Sequence, residues 1–392
     1  MLIKRTKSGE SLYDVASEYA ISAGYIAEVC EMNPRAVCEG REIIIPLPSR
    51  TAVAKSGDTV EGLAHRFGVS VAQIMALNPG IAASGRLYPS EYVVLKLAEP
   101  RVGVALLNGR IFPGVAKGRV ARSLRYLDTL TIGAAVAEGR RIRCDSRLCG
   151  YREMAEKLGV GVLLRIYIRE MPRGEWDEFA LGAVMAARGF CGVVLGGLSH
   201  LGGDAEEFIV RVKRTAIEAG LTLGVEVDGE GECGYAKYAD TVVCQLDRLH
   251  LSVQPSFDEC EGAMMDRMCD GEDVSNRLID LPSFAISDGE YIARDEVFDL
   301  LERSGAAVEF DESGECFTAR RGRVRATTES IVNTEKRIRA ACDRGFLGLS
   351  ADIGRMPFCE LYMAWAMTMR PVNFSVADGG LNCLGEKKSP SD

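Results

Sequence analysis

The stretch Lys7-Ser8-Gly9-Glu10-Ser11-Leu12 returns about fifty residues later as Lys55-Ser56-Gly57-Asp58-Thr59-Val60, and this repetition decides how the N-terminal region folds. A helical pattern follows each copy, through Leu12, Val15, Ala16 and Tyr19 in the first and Val60, Leu63, Ala64 and Phe67 in the second. Each stripe predicts a short helix facing a small core, with Ser11 and Thr59 as N-caps. Second helices are predicted over 23–32 and 71–77. Both stop at Asn-Pro, as Asn33-Pro34 and Asn78-Pro79, because proline disfavours a helical conformation in the residue before it. Strands over 42–46 and 91–97 close the copies, giving the order strand, helix, helix, strand.

That order, with the Ser-Gly-acidic-Ser/Thr turn at one end and Asn-Pro at the other, resembles the LysM family, with modules over 1–48 and 50–98. The resemblance implies a shallow groove for an N-acetylglucosamine-containing glycan, lying between the loop before the first helix and the loop after the second. Carried over, the groove residues are Gly9, Glu10, Ser11, Asn33, Pro34 and Arg35 in the first copy. In the second they are Gly57, Asp58, Thr59, Asn78, Pro79, Gly80 and Ile81. Backbone groups at these turns are placed to hydrogen-bond acetamido groups, while the same side chains cap helices and shape turns. The first copy departs from the second where Arg35-Ala36 stands for Gly80-Ile81.

Composition agrees with a neutral ligand. The formal net charge of −9 argues against a nucleic acid, whose binding needs clustered Lys and Arg. The N-terminus, Met1-Leu2-Ile3-Lys4-Arg5-Thr6-Lys7, has no apolar core of signal-peptide length, and no apolar run approaches a membrane span. The expectation is synthesis in the cytoplasm without a membrane partner. Thirteen cysteines without a paired spacing read as reduced, mostly buried thiols.

From about residue 101 short apolar strands alternate with amphipathic helices, and the pattern continues over roughly 270 residues. Strands are predicted over 102–107, 129–135, 160–168, 192–195, 222–227, 241–246 and 348–351. The fold expected is α/β: two small βααβ modules followed by a (β/α)8 TIM-like barrel over 101–370, with a small α+β insertion over about 295–327. An open doubly wound sheet is the competing topology, but no Gly-rich phosphate turn follows the first strand. The segment 371–392 is polar and reads as a flexible tail.

Paired LysM-like modules before such a barrel resemble the spore-cortex glycosidases of glycoside hydrolase family 18. Local matches are Gly189-Phe190-Cys191-Gly192-Val193, Ala307 to Asp311, and Gly345 to Phe358. The resemblance implies an Asp-x-x-Asp-x-Asp-x-Glu run on the fourth strand, whose Glu protonates the glycosidic oxygen while the substrate's own acetamido group attacks. The four matching positions here are Cys191, Val194, Gly196 and Leu198, and none carries a carboxylate. Leucine donates no proton, so that mechanism cannot run from these positions. The tryptophan that floors the family's sugar site is absent too, with Ala351 or Asp352 in its place. Trp176 and Trp365 read as core residues.

Four other carboxylates remain candidates. Strand alternation over 221–228 puts Glu226 and Asp228 towards the barrel's catalytic end, and Asp247 and Asp352 end later strands. They are either a relocated acid or partners for Arg165, Arg248 and Arg355. His65, His200 and His250 are too dispersed for a metal site, Ser199-His200 lacks the Gly-x-Ser-x-Gly frame, and no cofactor is implied. The function expected is a peptidoglycan- or chitin-binding protein with an inactive or impaired glycosidase-like barrel, deposited on a spore if it follows the enzymes it resembles. The alternatives are an active N-acetylglucosaminidase-type hydrolase and a scaffold contacting spore-coat proteins.

Overall fold

Each copy of the repeated turn opens a helix, as its residues require. The computed structural model describes residues 1–368 except 20, 34–36, 99–101, 104, 171–173, 199–203, 229–233, 246–260, 271–272, 304 and 312. In the first copy β1 (Leu2–Arg5) leads to α1 (Leu12–Glu18), α2 (Ala23–Val29) and β2 (Glu42–Ile45), which pairs antiparallel with β1. In the second, β3 (Pro48–Val53) leads to α3 (Val60–Phe67), α4 (Val71–Leu77), α5 (Pro79–Ser84) and β4 (Tyr92–Leu97), antiparallel to β3. Helix α5 is the departure from the sequence reading. Asn78 leaves helical geometry before Pro79, but proline is well suited to the first position of a new helix, where its missing N–H is not needed.

The two modules bury their apolar residues differently. The second has a core of its own, from Val60, Leu63 and Ile74 to Val93 and Leu95, and adds only Leu77 and Val94 to the larger one. In the first, Leu12, Val15, Ile26 and Ile43 to Ile45 belong to one continuous core with the larger domain.

That domain begins with β5 (Leu106–Ile111) and α6 (Lys117–Ser123). Next come β6 (Thr129–Glu138), β7 (Arg141–Cys144), α7 (Cys149–Glu156), β8 (Gly161–Glu170), α8 (Trp176–Ala186), β9 (Gly192–Gly196) and α9 (Ala205–Glu218). The order continues through β10 (Thr222–Asp228), β11 (Thr241–Gln245), α10 (Ala263–Cys269) and β12 (Arg277–Asp280). Strands β5, β6, β8, β9, β10, β11, β12 and β18 (Gly348–Asp352) are parallel in that order, and β18 pairs with β5 to close the barrel. β7 is an antiparallel flap on β6.

Two strands differ from the sequence reading. The first barrel strand is Leu106–Ile111 rather than 102–107, and Arg277–Asp280 has no counterpart among the predicted strands. Both carry polar side chains into the barrel, Asn108 and Arg110 in one and Asp280 in the other, which interrupts the apolar run that marks a buried strand.

Between β12 and β18 an antiparallel sheet is inserted. Its strands are β13 (Phe284–Ser287), β14 (Glu290–Ala293), β15 (Ala307–Phe310), β16 (Cys316–Arg321) and β17 (Val324–Glu329), ordered β14-β13-β17-β16-β15 around α11 (Arg294–Leu301). It starts earlier than the expected residue 295, because the hairpin β13-β14 joins it. Helices α12 (Ile331–Asp343) and α13 (Phe358–Thr368) complete the chain. Buried ion pairs bind insertion to barrel: Arg294 to Glu360 at 2.8 Å and Glu329 to Arg337 at 3.1 Å.

Module one is fixed to this assembly. The Glu42 carboxylate, 4% exposed, accepts the Ser330 hydroxyl at 2.7 Å and the Ile331 N–H at 2.8 Å, where α12 begins. Tyr25 and Tyr362 share a hydrogen bond of 2.9 Å, and buried Arg41 pairs with Glu302. The Arg5 guanidinium lies 3.5 Å from the centre of the Phe310 ring. Module two touches the barrel through the Tyr126 hydroxyl, which donates to the Ala76 carbonyl at 3.0 Å.

Candidate functional site

The two repeated turns have one construction. The Lys7 N–H donates to the Glu10 carboxylate and the Lys55 N–H to that of Asp58, each at 2.9 Å. Gly9 and Gly57 hold φ of +71° and +85°, a left-handed conformation that explains glycine there. Ser11 and Asp14 form a reciprocal capping box, and the Thr59 hydroxyl accepts the Gly62 N–H at 3.0 Å. Arg66 pairs with Asp58 and holds its carboxyl below the usual range. Both turns are exposed.

The second loops are less open. Asn78 is buried and fully engaged: its amide donates to the Ile74 carbonyl at 2.7 Å and the Val94 carbonyl at 2.8 Å, and its oxygen accepts the Val94 N–H at 2.8 Å. Ile81 belongs to the module core and Pro79 is buried. The Gly80 N–H donates to the Glu28 carboxylate of module one at 3.1 Å. In module one the Asn33 N–H donates to Glu302 of the insertion at 2.8 Å. Pro34 and Arg35 lie outside the described residues.

The four positions matched by resemblance run along β9, from Cys191 just before the strand to Leu198 just after it. Cys191 and Val194 line a cavity of about 30 Å³ at the N-terminal end of the barrel strands, together with Asn108, Thr131, Thr222 and Thr241. That is room for a water, at the end of the barrel opposite Glu226 and Asp352. Leu198 is 2% exposed. A Cβ on Gly196 would run into the Glu226 carboxylate and come within 2.8 Å of the Arg165 guanidinium.

Glu226 is therefore at the mouth, as alternation implies, but engaged. It accepts from Arg165 at 2.7 and 2.6 Å, with Arg110 at 3.8 Å, and only 6% of it is exposed. The Arg165 guanidinium lies between the Phe112 and Tyr167 rings, 5.1 Å from each centre. Arg110 continues the network to Asp280. Asp352 is buried too; burial pushes its carboxyl up, against the opposing pull of Arg110 and Arg355. Glu226 and Asp352 thus share Arg110 as a neighbour, and Arg165 and Arg355 stand beside them. Asp280 and Arg110 escape the sequence reading because their strands do.

Several candidates fall elsewhere: Asp247, Ser199, His200, Arg248, His250 and the tail from 371 lie outside the described residues, as does the side chain of Asp228. Trp365 is buried against Tyr126, ring centres 5.1 Å apart, and Trp176 is half-buried beside Phe208. Neither floors the mouth. Among the described residues no three His, Cys, Asp or Glu side chains gather as a metal site.

Fold and site together define a closed parallel barrel with a late antiparallel insertion, preceded by two βααβ modules. The LysM domain model matches residues 53–93, the second module. No curated protein sequence matches the chain. Among solved structures, the spore cortex-lytic enzyme SleL of Bacillus megaterium QM B1551 superposes with a TM-score of 0.66 at 14% identity, covering 94% of this chain and 98% of that one. SleL of Bacillus cereus gives 0.68 at 13%, with the same coverage. The family 18 chitinase of Cycas revoluta, solved with (GlcNAc)3, gives 0.57 at 13% over 67% of this chain and 99% of its own. At these identities the likeness is one of fold: a LysM-containing chain with a family 18-like barrel.

Proposed function

We propose that this protein binds an N-acetylglucosamine-type glycan, with peptidoglycan the first candidate and chitin-like chains the second, and that its barrel does not hydrolyse it. The modules are taken as 1–48 and 50–98 and the barrel as 101–370. The glycan reading is supported by the LysM match over the second module and by the exposed turn Gly57-Asp58-Thr59. The observation that carries the loss of hydrolysis is the filling of the Gly196 position by the Glu226–Arg165 pair, beside a buried Leu198.

General acid catalysis needs a carboxylic acid within hydrogen-bond reach of the leaving oxygen. Glu226 spends both oxygens on Arg165, which leaves neither placed to meet a leaving oxygen. The likeness to cortex-lytic enzymes supports an association with a spore envelope, where coat proteins are further candidate partners.

The full chain incubated with purified peptidoglycan is expected to co-sediment without releasing reducing sugar. Ser11→Tyr combined with Thr59→Tyr places a ring over each repeated turn at the loss of two helix caps, about 1 kcal/mol each, and should abolish sedimentation while the chain stays folded. Retained binding in that folded variant would sink the groove assignment. Turnover by the wild type that stops in Glu226→Gln would instead establish the relocated-acid hydrolase.

A further inference from the structure

The Gly80 amide, on the loop expected to receive an acetamido carbonyl, is already taken. A Cβ on Gly80 would overlap both oxygens of the Glu28 carboxylate, so that carboxylate lies directly over this residue. Glu28 comes from α2 of module one. The site of module two is therefore bordered by a side chain from its neighbour.

The carboxylate is poorly neutralised. Arg122, the cation that acts on it, spends its guanidinium on the Glu31 carboxylate at 2.9 Å and on the Glu28 backbone carbonyl, and stacks on Phe358 at 4.1 Å. Glu91 faces Glu28 from the other module and adds negative charge. Burial pushes the Glu28 carboxyl up, against the pull of the Gly80 N–H. Among the described residues that N–H is the donor to the carboxylate, and a carboxylate with one donor has acceptor capacity unused.

A carboxylate over Gly80 repels the lone pairs of an acetamido carbonyl and attracts an ammonium group. We propose that Glu28 is a specificity-determining residue, which makes the glycan site of the second module composite and selects a sugar unit with a free amine at C2 over its N-acetylated form. The ligand class is a partly de-N-acetylated glycan. This rests on the glycan-binding reading above and refines which chain is bound.

The test uses the full chain and two defined probes, glucosamine hexamer and N-acetylglucosamine hexamer, titrated calorimetrically at about pH 6.5, where the amines are largely charged. The wild type should favour the glucosamine hexamer about tenfold, the worth of one charge-assisted hydrogen bond. Glu28→Gln should remove the preference. Gly80→Ala should do the same by displacing the carboxylate without altering it, which gives a second route should one variant fold poorly. Glu178→Gln, on the exposed surface of α8, removes equal charge elsewhere and should leave the preference intact. Equal affinity in the wild type, or a preference that survives Glu28→Gln or falls equally in Glu178→Gln, overturns the role of Glu28 and leaves glycan binding standing. Absence of binding to both hexamers overturns both readings.

Discussion

Glu226 and Arg165 form a bidentate ion pair across the mouth of the barrel, at 2.7 and 2.6 Å, in the space a side chain on Gly196 would need. By the resemblance read from the sequence, Gly196 matches the position of the carboxylate that supports the acid in family 18. Restoring the motif by Gly196→Asp and Leu198→Glu should therefore fail. The aspartate introduced at Gly196 would meet Glu226 as a like charge at close range. The glutamate introduced at Leu198 would enter a site where the native leucine is 2% exposed. The double variant is expected to release no reducing sugar from chitooligosaccharides and to lose about 3 kcal/mol or more of stability. Calorimetric melting and a sugar assay measure both, and an active, equally stable variant would contradict the account.

The thiols carry a second expectation. Cys30 and Cys359 are buried between module one and α13, and Cys316 is buried at the start of β16 in the insertion. Burial pushes Cys30 up to about 11 and Cys316 up to about 12, and raises Cys359 well above its ordinary value. Thiolate is the reactive form, so these three should resist an aromatic disulfide reagent at about pH 8 in the native chain and react at once in denaturant. Peptide mapping identifies them. Rapid native labelling of Cys359 would show that module one detaches easily.

Module one's attachment gives a third. Glu42→Ala leaves the Ser330 hydroxyl and the Ile331 N–H at the start of α12 without their acceptor and should lower stability by about 2–4 kcal/mol. Glu39→Ala, on an exposed turn of the same module, should change almost nothing. Because module one shares the barrel's core, its amides should exchange with those of the barrel, whereas module two, with its own core, should open separately. Hydrogen exchange by mass spectrometry separates these outcomes. Loss of module one's protection ahead of module two would contradict the shared core.

How much of this is legible in the sequence follows from the range over which each feature acts. The turns at Gly9 and Gly57 are local: a positive φ, a capping hydroxyl and an acidic residue within four positions, all visible as letters. That Cys191, Val194, Gly196 and Leu198 carry no carboxylate is equally visible. Alternation places Glu226 on the right face but cannot show that Arg165, sixty-one positions away, takes both its oxygens. Glu28 over Gly80 is hidden for the same reason, since nothing near Glu28 marks a groove fifty-two positions later. Helix α5 escapes because Asn-Pro reads as a stop, although the same proline also starts a helix.

The last prediction concerns Asp295, in the first turn of α11, where the insertion meets the barrel. Its carboxylate pairs with Arg119 of α6 at 2.6 Å, yet its pKa is raised to about 6. Burial is the largest cause, and the negative charges of Asp299 and Glu296 add to it, together outweighing Arg119. The unfolded value is near 3.9. A carboxyl that binds its proton more tightly when folded makes the folded state more stable as pH falls through the window from about 6 to about 4. Above that window the charged form is held at a cost of up to about 3 kcal/mol, at about 1.4 kcal/mol per pKa unit. Asp295→Asn should therefore raise the melting temperature at neutral pH and leave it nearly unchanged near pH 4. The difference between variant and wild type should shrink steadily across the window, which isolates this group from the other acids titrating there. A variant less stable than the wild type at pH 7 would mean that the Arg119 pair outweighs burial, and the insertion would then be held to the barrel by that ion pair rather than in spite of it.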